Sequence, residues 1–313
     1  MRAVRVLDGE AVVQDVEMAE PPDGWVVLDV TANGICGSDH HLIEMGVEVT
    51  LGHEIAGRDP DGRAFAVQPI EYCGSCVACV DGRTDLCRAL TGPVGVLLDG
   101  GLAEQVAVPP SCLVPLDDGL DPAHACLVEP VAVAVHAVNR AELADGDHVL
   151  VIGGGPIGLA AGVAAAGAGA QVELVARHPH QVAAGERLEL PVAAGRDYDV
   201  VIEAAGHQSA LVEAIDRCRP GGKVAIPGVY WEPVTLTQPA IWLSKQIDLK
   251  PTMYYGHHHG RRETDLAAEL LAQRPDLADV LITHRFPLDD APQAFAVAAD
   301  RAAGAIKVVI EPD

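Results

Sequence analysis

The chain has few basic residues. Lys and Arg together number 21 against 45 Asp and Glu, which gives a formal net charge of −24. Its only lysines are Lys223, Lys245, Lys250 and Lys307. A field of this sign repels nucleic acids and anionic lipid surfaces. We therefore expect neither a nucleic-acid nor a membrane partner, and an anionic cofactor would need local positive groups.

Long apolar runs are also missing. No run of about 18 apolar residues is free of Gly, Pro and charge, so no membrane span is expected. The nearest candidate, Val149 to Ala170, is interrupted by G-G-G-P and is typical of a strand, a turn and a helix. The first ten residues alternate like a strand and include acids, unlike a secretory signal. These features predict a cytoplasmic protein.

The length and the hydrophobic pattern predict two domains. The 313 residues are 49% hydrophobic, which is enough for two cores. Up to about Val135, short alternating segments end in Gly, Pro or Asp turns, which predicts a β-rich domain. From about Ala137, apolar strands alternate with helices, which predicts an α/β doubly wound parallel sheet. We predict a catalytic domain at 1–136 and 283–313 and a nucleotide-binding domain at 137–282.

Four cysteines lie close together in one loop: Cys73, Cys76, Cys79 and Cys87. Thiolates at C-x2-C-x2-C-x7-C spacing can close a tetrahedron around one zinc ion. A ferredoxin-type cluster begins in the same way, but its fourth cysteine follows after three residues and precedes proline. Here the last gap is seven residues and Arg88 follows. In a chain without a signal, clustered cysteines favour metal over disulfides, so we predict a closed structural zinc site.

A second set of zinc-ligand residue types comes from three separate segments. Cys36 lies in N-G-I-C-G-S-D-H-H, His53 and Glu54 in L-G-H-E-I-A-G, and Glu129 in C-L-V-E-P. A catalytic zinc needs mixed Cys, His and carboxylate ligands and one position left for water or substrate. Cys36, His53 and either glutamate would provide that set. The choice between Glu54 and Glu129 stays open.

A glycine-rich turn follows the apolar segment H-V-L-V-I. It reads G-G-G-P-I-G and contains Gly153, Gly155, Pro156, Ile157 and Gly158. Because it joins a strand to a helix, it predicts a dinucleotide site rather than a chance match. The glycines allow the backbone to approach a pyrophosphate, and the helix N-terminus supplies unpaired N–H groups.

The residues after the next strand bear on the choice of dinucleotide. NAD-binding versions place an acid at the end of that strand to hold the ribose hydroxyls. Here Ala176 stands at that position, and Arg177, His178 and His180 follow. A guanidinium can bind a 2′-phosphate with two hydrogen bonds, so we predict NADP over NAD. Two alternatives are that Arg177 is a solvated loop cation, or that a register shift brings Glu173 to the ribose.

Together, these motifs resemble the zinc-containing medium-chain dehydrogenases/reductases of the alcohol dehydrogenase superfamily, nearest the sorbitol and threonine dehydrogenase branch. The resemblance covers nearly the whole chain, including the late T-H-R-F-P-L-D-D-A-P-Q-A-F. It implies a GroES-like catalytic domain, a Rossmann domain and two zinc ions per chain. The implied activity is hydride transfer between NADP(H) and a secondary alcohol or ketone, namely a polyol, sugar or amino-alcohol. It also implies a homodimer or homotetramer.

The resemblance also implies roles for individual residues. Cys36, His53 and Glu54 would hold the catalytic zinc, with Glu129 as a direct, exchanging or water-bridged ligand. Ser38 would contact the substrate hydroxyl, and His41 would pass its proton to solvent. Asp39 would orient a neighbouring side chain. In the second domain, Glu203 ends a strand that borders the nicotinamide.

Three other interpretations are weighed beside this one. The first is an NAD-dependent member of the same family. The second is a zinc-free reductase of quinones or enones with the same fold. The third is a non-catalytic zinc- and nucleotide-binding protein, such as a redox sensor.

Overall fold

The computed structural model describes residues 1–18, 20–116, 119–237 and 239–312. These residues form two compact units, Met1–Glu129 with His259–Asp313 and Pro130–His258. No helix in the described ranges is long and apolar enough to cross a membrane.

The elements are numbered in chain order. The first stretch contains β1 (Arg2–Leu7), β2 (Glu10–Asp15), β3 (Val26–Gly34), α1 (Gly37–Met45), β4 (Glu54–Arg58), β5 (Ala64–Val67), α2 (Val77–Val80), β6 (Gln105–Val108) and β7 (Leu113–Pro115). The middle stretch contains α3 (Val128–Ala141), β8 (His148–Ile152), α4 (Pro156–Gly167), β9 (Gln171–Val175), α5 (Pro179–Arg187), β10 (Tyr198–Glu203), α6 (Gln208–Arg217), β11 (Cys218–Ile226), α7 (Pro239–Lys245), β12 (Asp248–Pro251) and β13 (His257–His258). The last stretch contains β14 (Arg261–Arg262), α8 (Glu263–Gln273), α9 (Pro275–Leu281), β15 (Ile282–Pro287), α10 (Ala291–Ala299) and β16 (Lys307–Glu311). Short 3₁₀ turns lie at Thr84–Leu86, Pro110–Cys112, Pro122–Leu127 and Leu288–Asp290.

The first unit is built on a mixed sheet in the order β15-β16-β3-β4-β5-β7, with β6 also pairing with β3. Its register places Gly34, the last residue of β3, opposite Glu54, the first residue of β4. On the other side of β3, Val309 of β16 also pairs with Gly34. The end of β3, the start of β4 and the middle of β16 therefore meet at one point of the sheet.

The second unit is a five-stranded parallel sheet in the order β12-β11-β10-β8-β9. Strands β8 and β10 are largely buried and each contains an apolar run, Val149–Ile152 and Val200–Ile202, which is typical of parallel strands. The carboxyl ends of these strands lie at the same edge of the sheet. The loops that follow β8, β9 and β10 therefore share that edge.

Both unit boundaries lie earlier in the chain than the predicted ones, at 130 and 259 rather than 137 and 283. The later boundary moves because α8 packs with the first unit. Thr264 donates a buried hydrogen bond to Gln68 Oε1 at 3.1 Å. Arg262 donates to the carbonyl oxygen of Leu113 at 3.1 Å. These long-range contacts place α8 in the first unit.

Candidate functional site

The first candidate site contains Cys36, His53 and Glu54. One ligand atom from each lies within 4.8 Å of the others. The sheet register explains this, because Cys36 follows β3 by two residues and His53 immediately precedes β4. His53 and Glu54 are buried, and Cys36 is partly exposed. Three residue types that suit zinc thus converge from two chain segments.

Asp39 supports this group from the first turn of α1. Its Oδ2 accepts a hydrogen bond from the Cys36 backbone N–H at 2.8 Å, which starts the helix. Its Oδ1 lies 3.4 Å from His53 Nδ1. Burial lowers the pKa of His53, but the negative charges of Asp39 and Cys36 outweigh it and hold that pKa well above its usual value. The contact supports the orienting role of Asp39 that the resemblance implies, and that role stays a prediction.

Lys307 is a residue of this site that the sequence reasoning missed. Its Nζ donates to Glu54 Oε1 at 2.6 Å and to the Ile35 carbonyl oxygen at 2.8 Å. The side chains of Lys307 and Glu54 are almost completely buried. Burial lowers the pKa of Lys307, but Glu54 and Cys36 raise it by more. The pKa of Lys307 therefore lies above its usual value, and the ammonium group stays charged. A lone lysine in the apolar segment A-I-K-V-V-I was the signal that could have identified it.

Glu54 has one oxygen that is held and one that is free. While Oε1 pairs with Lys307, Oε2 is buried and no donor in the described part of the chain reaches it. The Glu54 side chain also lies against Gly34, where an added Cβ would collide with Oε2. A buried carboxylate oxygen without a partner is costly unless something binds it. This arrangement fits a cation beside Cys36 and His53.

The other predicted catalytic residues lie nearby in the chain. Ser38 and His41 are both in α1, three residues apart, so they are neighbours on the helix surface. His41 Nδ1 lies 3.1 Å from Glu44 Oε2 at the exposed side. Glu129 is buried in the first turn of α3 but is not part of the group within 4.8 Å. Its place as a ligand stays a prediction.

The four cysteines of the ladder also converge. The sulfur atoms of Cys73, Cys76, Cys79 and Cys87 all lie within 4.8 Å of one another. Backbone N–H groups of Ser75 and Cys76 lower the pKa of Cys73 to about 6, which favours its thiolate. Burial raises the pKa of Cys79 to about 12, so this thiol would need a cation to ionise. Four clustered sulfurs of this kind fit the donor set of a structural zinc.

The glycine-rich turn lies at the carboxyl end of β8, as predicted. Gly153 has φ +121°, a conformation that glycine adopts readily. An added Cβ at Gly158 would collide with the Gly153 carbonyl oxygen, so glycine at this position allows α4 to lie close to the turn. Gly155 precedes α4 and has open space around it. With Pro156 and Ile157 forming the first turn, the helix N-terminus offers free N–H groups to an anion.

The end of β9 contains no acid. The strand ends at Val175, and Ala176 packs beside the glycine turn, where a Cβ added at Gly154 would lie only 2.8 Å from the Ala176 Cβ. Glu173 is turned to other partners, accepting from Tyr198 Oη and from the Ala194 N–H at 3.1 Å. The register of β9 therefore leaves Glu173 engaged elsewhere, and Arg177 is the first charged residue after the strand.

Arg177 and the histidines lie at the same edge. Arg177 is exposed and donates from Nη2 to Ser209 Oγ at 2.7 Å. The rings of His178 and His180 stack with centroids 5.5 Å apart. Burial and the neighbouring His178 lower the pKa of His180. This edge can therefore present a cation and ring N–H groups to an anionic ligand.

Glu203 has an internal set of partners. It is fully buried at the end of β10, and its Oε1 accepts from the N–H groups of Ala205 and Gly206 at 2.8 and 3.0 Å. Its Oε2 accepts from Tyr230 Oη. Burial raises the pKa of Glu203, although these hydrogen bonds oppose the shift. Glu203 ties two strand-end loops together, and its predicted role beside the cofactor stays a prediction.

Comparison with known proteins agrees with this geometry. The family model "Alcohol dehydrogenase GroES-like domain" matches residues 22–118, and "Glucose dehydrogenase C-terminus" matches residues 122–311. L-galactonate-5-dehydrogenase of Escherichia coli K12 is 33% identical, with 89% of each chain covered. Sorbitol dehydrogenase of Bacillus subtilis 168 is 29% identical, with 92% of this chain and 90% of the relative covered.

Among solved structures, a protein of Sinorhizobium meliloti 1021 assigned as a zinc-binding dehydrogenase and bound to NADP is similar to this chain. It is 30% identical with a TM-score of 0.85, and 99% of each chain is covered. Galactitol-1-phosphate dehydrogenase of Escherichia coli is 25% identical with a TM-score of 0.88, and the whole of each chain is covered.

A GroES-like unit and a parallel-sheet Rossmann unit, each with its candidate site, define an oxidoreductase that acts on alcohols with a nicotinamide dinucleotide. The chain belongs to the zinc-type medium-chain alcohol dehydrogenase family. The predicted fold class and family are confirmed, and the protein is an enzyme of the alcohol dehydrogenase type.

Proposed function

We propose that this enzyme uses zinc to transfer hydride reversibly between NADP(H) and a secondary alcohol or ketone of the polyol, sugar or amino-alcohol class. The observation that carries the zinc requirement is the convergence of Cys36, His53 and Glu54, with Glu54 Oε2 buried and without a donor. The relatives named above support the substrate class, since they include dehydrogenases of sorbitol and L-galactonate.

The residues of this chain would act as follows. Cys36, His53 and Glu54 would hold the catalytic zinc, while Asp39 fixes the orientation of His53. When bound, zinc supplies the Lewis acidity that lowers the pKa of an alcohol. Ser38 would accept a hydrogen bond from the substrate hydroxyl. His41, one turn further along α1, would pass the released proton to solvent.

The dinucleotide would bind at the carboxyl edge of the second unit. Gly153, Gly155 and Gly158 would admit the pyrophosphate against the first turn of α4. NADP would supply the hydride acceptor. Two features support NADP over NAD: the described residues at the end of β9, Val175 and Ala176, include no acid, and the guanidinium of Arg177 is exposed.

Three further parts of the proposal come from the sequence. We propose that a second, structural zinc is held by Cys73, Cys76, Cys79 and Cys87. A homodimer or homotetramer and a cytoplasmic location stay predictions.

Metal analysis joined to an activity assay tests this function. The purified protein should hold two zinc ions per chain, and Cys36→Ser should hold one and lose NADPH formation. Cys218→Ser provides a matched control, because Cys218 is a buried packing residue of the second unit. A Cys36→Ser protein that keeps both its second zinc and its activity would contradict the proposal.

A further inference from the structure

Ser209 and His207 connect Arg177 to the loop that follows β10. Arg177 follows β9, whereas His207 caps the start of α6, which follows β10. Because β9 and β10 flank β8 in the same parallel sheet, their following loops lie at one edge. Distances within hydrogen-bond range join the three side chains at that edge.

The direction of these hydrogen bonds is fixed by His207. Its Nδ1 accepts from the Ser209 backbone N–H at 3.2 Å, so this nitrogen carries no proton. Ser209 Oγ lies 3.0 Å from the same nitrogen and must therefore donate to it. Having donated its proton, Oγ accepts from Arg177 Nη2 at 2.7 Å. The guanidinium of Arg177 is therefore the first donor in this series of hydrogen bonds, and Ser209 Oγ is its acceptor.

This arrangement affects how Arg177 meets a ligand. A guanidinium has five N–H donors, and the bond to Ser209 uses one of them. The remaining donors suit a phosphate, which arginine binds through two parallel hydrogen bonds. An exposed arginine normally loses rotamer freedom when it binds, and a fixed acceptor reduces that loss.

We propose that Ser209, oriented by His207, is a positioning residue that orders Arg177 for the 2′-phosphate of NADP. The inference rests on the proposed use of NADP. Ser209 itself does not touch the phosphate, because its hydroxyl proton is committed to His207. Its contribution should therefore appear in the preference for a 2′-phosphate and not in binding of the rest of the nucleotide.

Calorimetry with two nucleotide fragments tests this role. Adenosine 2′,5′-bisphosphate and 5′-AMP differ only in the 2′-phosphate, and neither needs zinc. Wild type should bind the bisphosphate more tightly than AMP. Ser209→Ala should weaken binding of the bisphosphate by between about twofold and tenfold, the cost of ordering one long side chain, and leave AMP binding unchanged.

Three variants serve as controls. Ser209→Thr keeps the hydroxyl and should restore the preference. Ser244→Ala makes the same change on α7, where Ser244 Oγ donates to the Ile241 carbonyl oxygen of its own helix, and should behave like wild type. Arg177→Ala should abolish the preference.

The outcomes separate the two proposals. If Ser209→Ala keeps the full preference of wild type, the positioning role is wrong and the use of NADP stands. If wild type itself binds the bisphosphate no better than AMP, the use of NADP is wrong and the positioning role is wrong with it. A reduced preference in Ser209→Ala together with its return in Ser209→Thr would support both.

Discussion

Replacing Lys307 with methionine should destabilise the first unit strongly. The ammonium group and Glu54 are 4% and 1% exposed, so water cannot solvate the carboxylate that remains. Loss of one partner of a buried pair typically costs about 3–5 kcal/mol, because the other charge stays buried and uncompensated. The Ile35 carbonyl oxygen also loses its donor. We therefore expect a loss of about 3–5 kcal/mol in metal-free Lys307→Met.

The assay is chemical denaturation followed by tryptophan fluorescence. Trp25 reports on the first unit once Trp231 and Trp242 of the second are replaced by phenylalanine. Adding Glu54→Gln to Lys307→Met removes the buried charge and should recover more than half of the loss. Loading with zinc should also reduce the loss, since Glu54 Oε2 would then face a cation.

A matched control uses an ion pair whose carboxylate is exposed. Lys250 lies 3.0 Å from Glu142, whose side chain is 65% exposed, so Lys250→Met should cause a far smaller change in the unfolding free energy of the second unit. The reasoning would be refuted if metal-free Lys307→Met lost less than about 1 kcal/mol. It would also be refuted if Glu54→Gln gave no recovery.

Three further predictions concern the cysteine ladder, the glycine turn and the buried acid of the second unit. Cys73→Ser should leave one zinc per chain and lower the melting temperature, as measured by metal analysis and calorimetry. Gly158→Ala should prevent α4 from packing against Gly153 and lower the melting temperature, whereas Gly155→Ala should fold normally and weaken dinucleotide binding, as measured by calorimetry. Burial raises the pKa of Glu203 above its usual value of 4.5 in the folded protein. The contribution of Glu203 to stability is therefore fully present below pH 4.5, and it is lost as the pH rises through the folded pKa. Glu203→Gln should therefore gain stability relative to wild type between pH 4 and pH 7, measured by denaturation at each pH.

Local sequence patterns predicted the second unit closely. β8 begins and ends as predicted, at His148 and Ile152, because a buried parallel strand is a continuous apolar run between turns. The helical signal of α6 (Gln208–Arg217) is equally local, since its apolar positions repeat with the helical period. Both signals lie within a few residues and need no knowledge of the rest of the chain.

The features that the sequence reasoning missed depend on distant contacts. Lys307 reaches Glu54 across 253 positions of the chain, through the pairing of β16 and β3. Ser209 meets Arg177 through the order of strands in the second sheet. Residue types at a local spacing predicted which side chains could bind zinc. They could not predict which oxygen of Glu54 is held by a lysine, since that requires the strand register.

The most direct test of the account is the rate of nicotinamide reduction by zinc-replete enzyme, with NADP and NAD offered separately. Polyols, sugars, amino-alcohols and simple secondary alcohols would be compared. We predict turnover with a polyol, sugar or amino-alcohol and a higher kcat/KM with NADP than with NAD. A higher kcat/KM with NAD would contradict the assignment of Arg177. Absence of turnover with either dinucleotide across the panel would contradict the proposed substrate class.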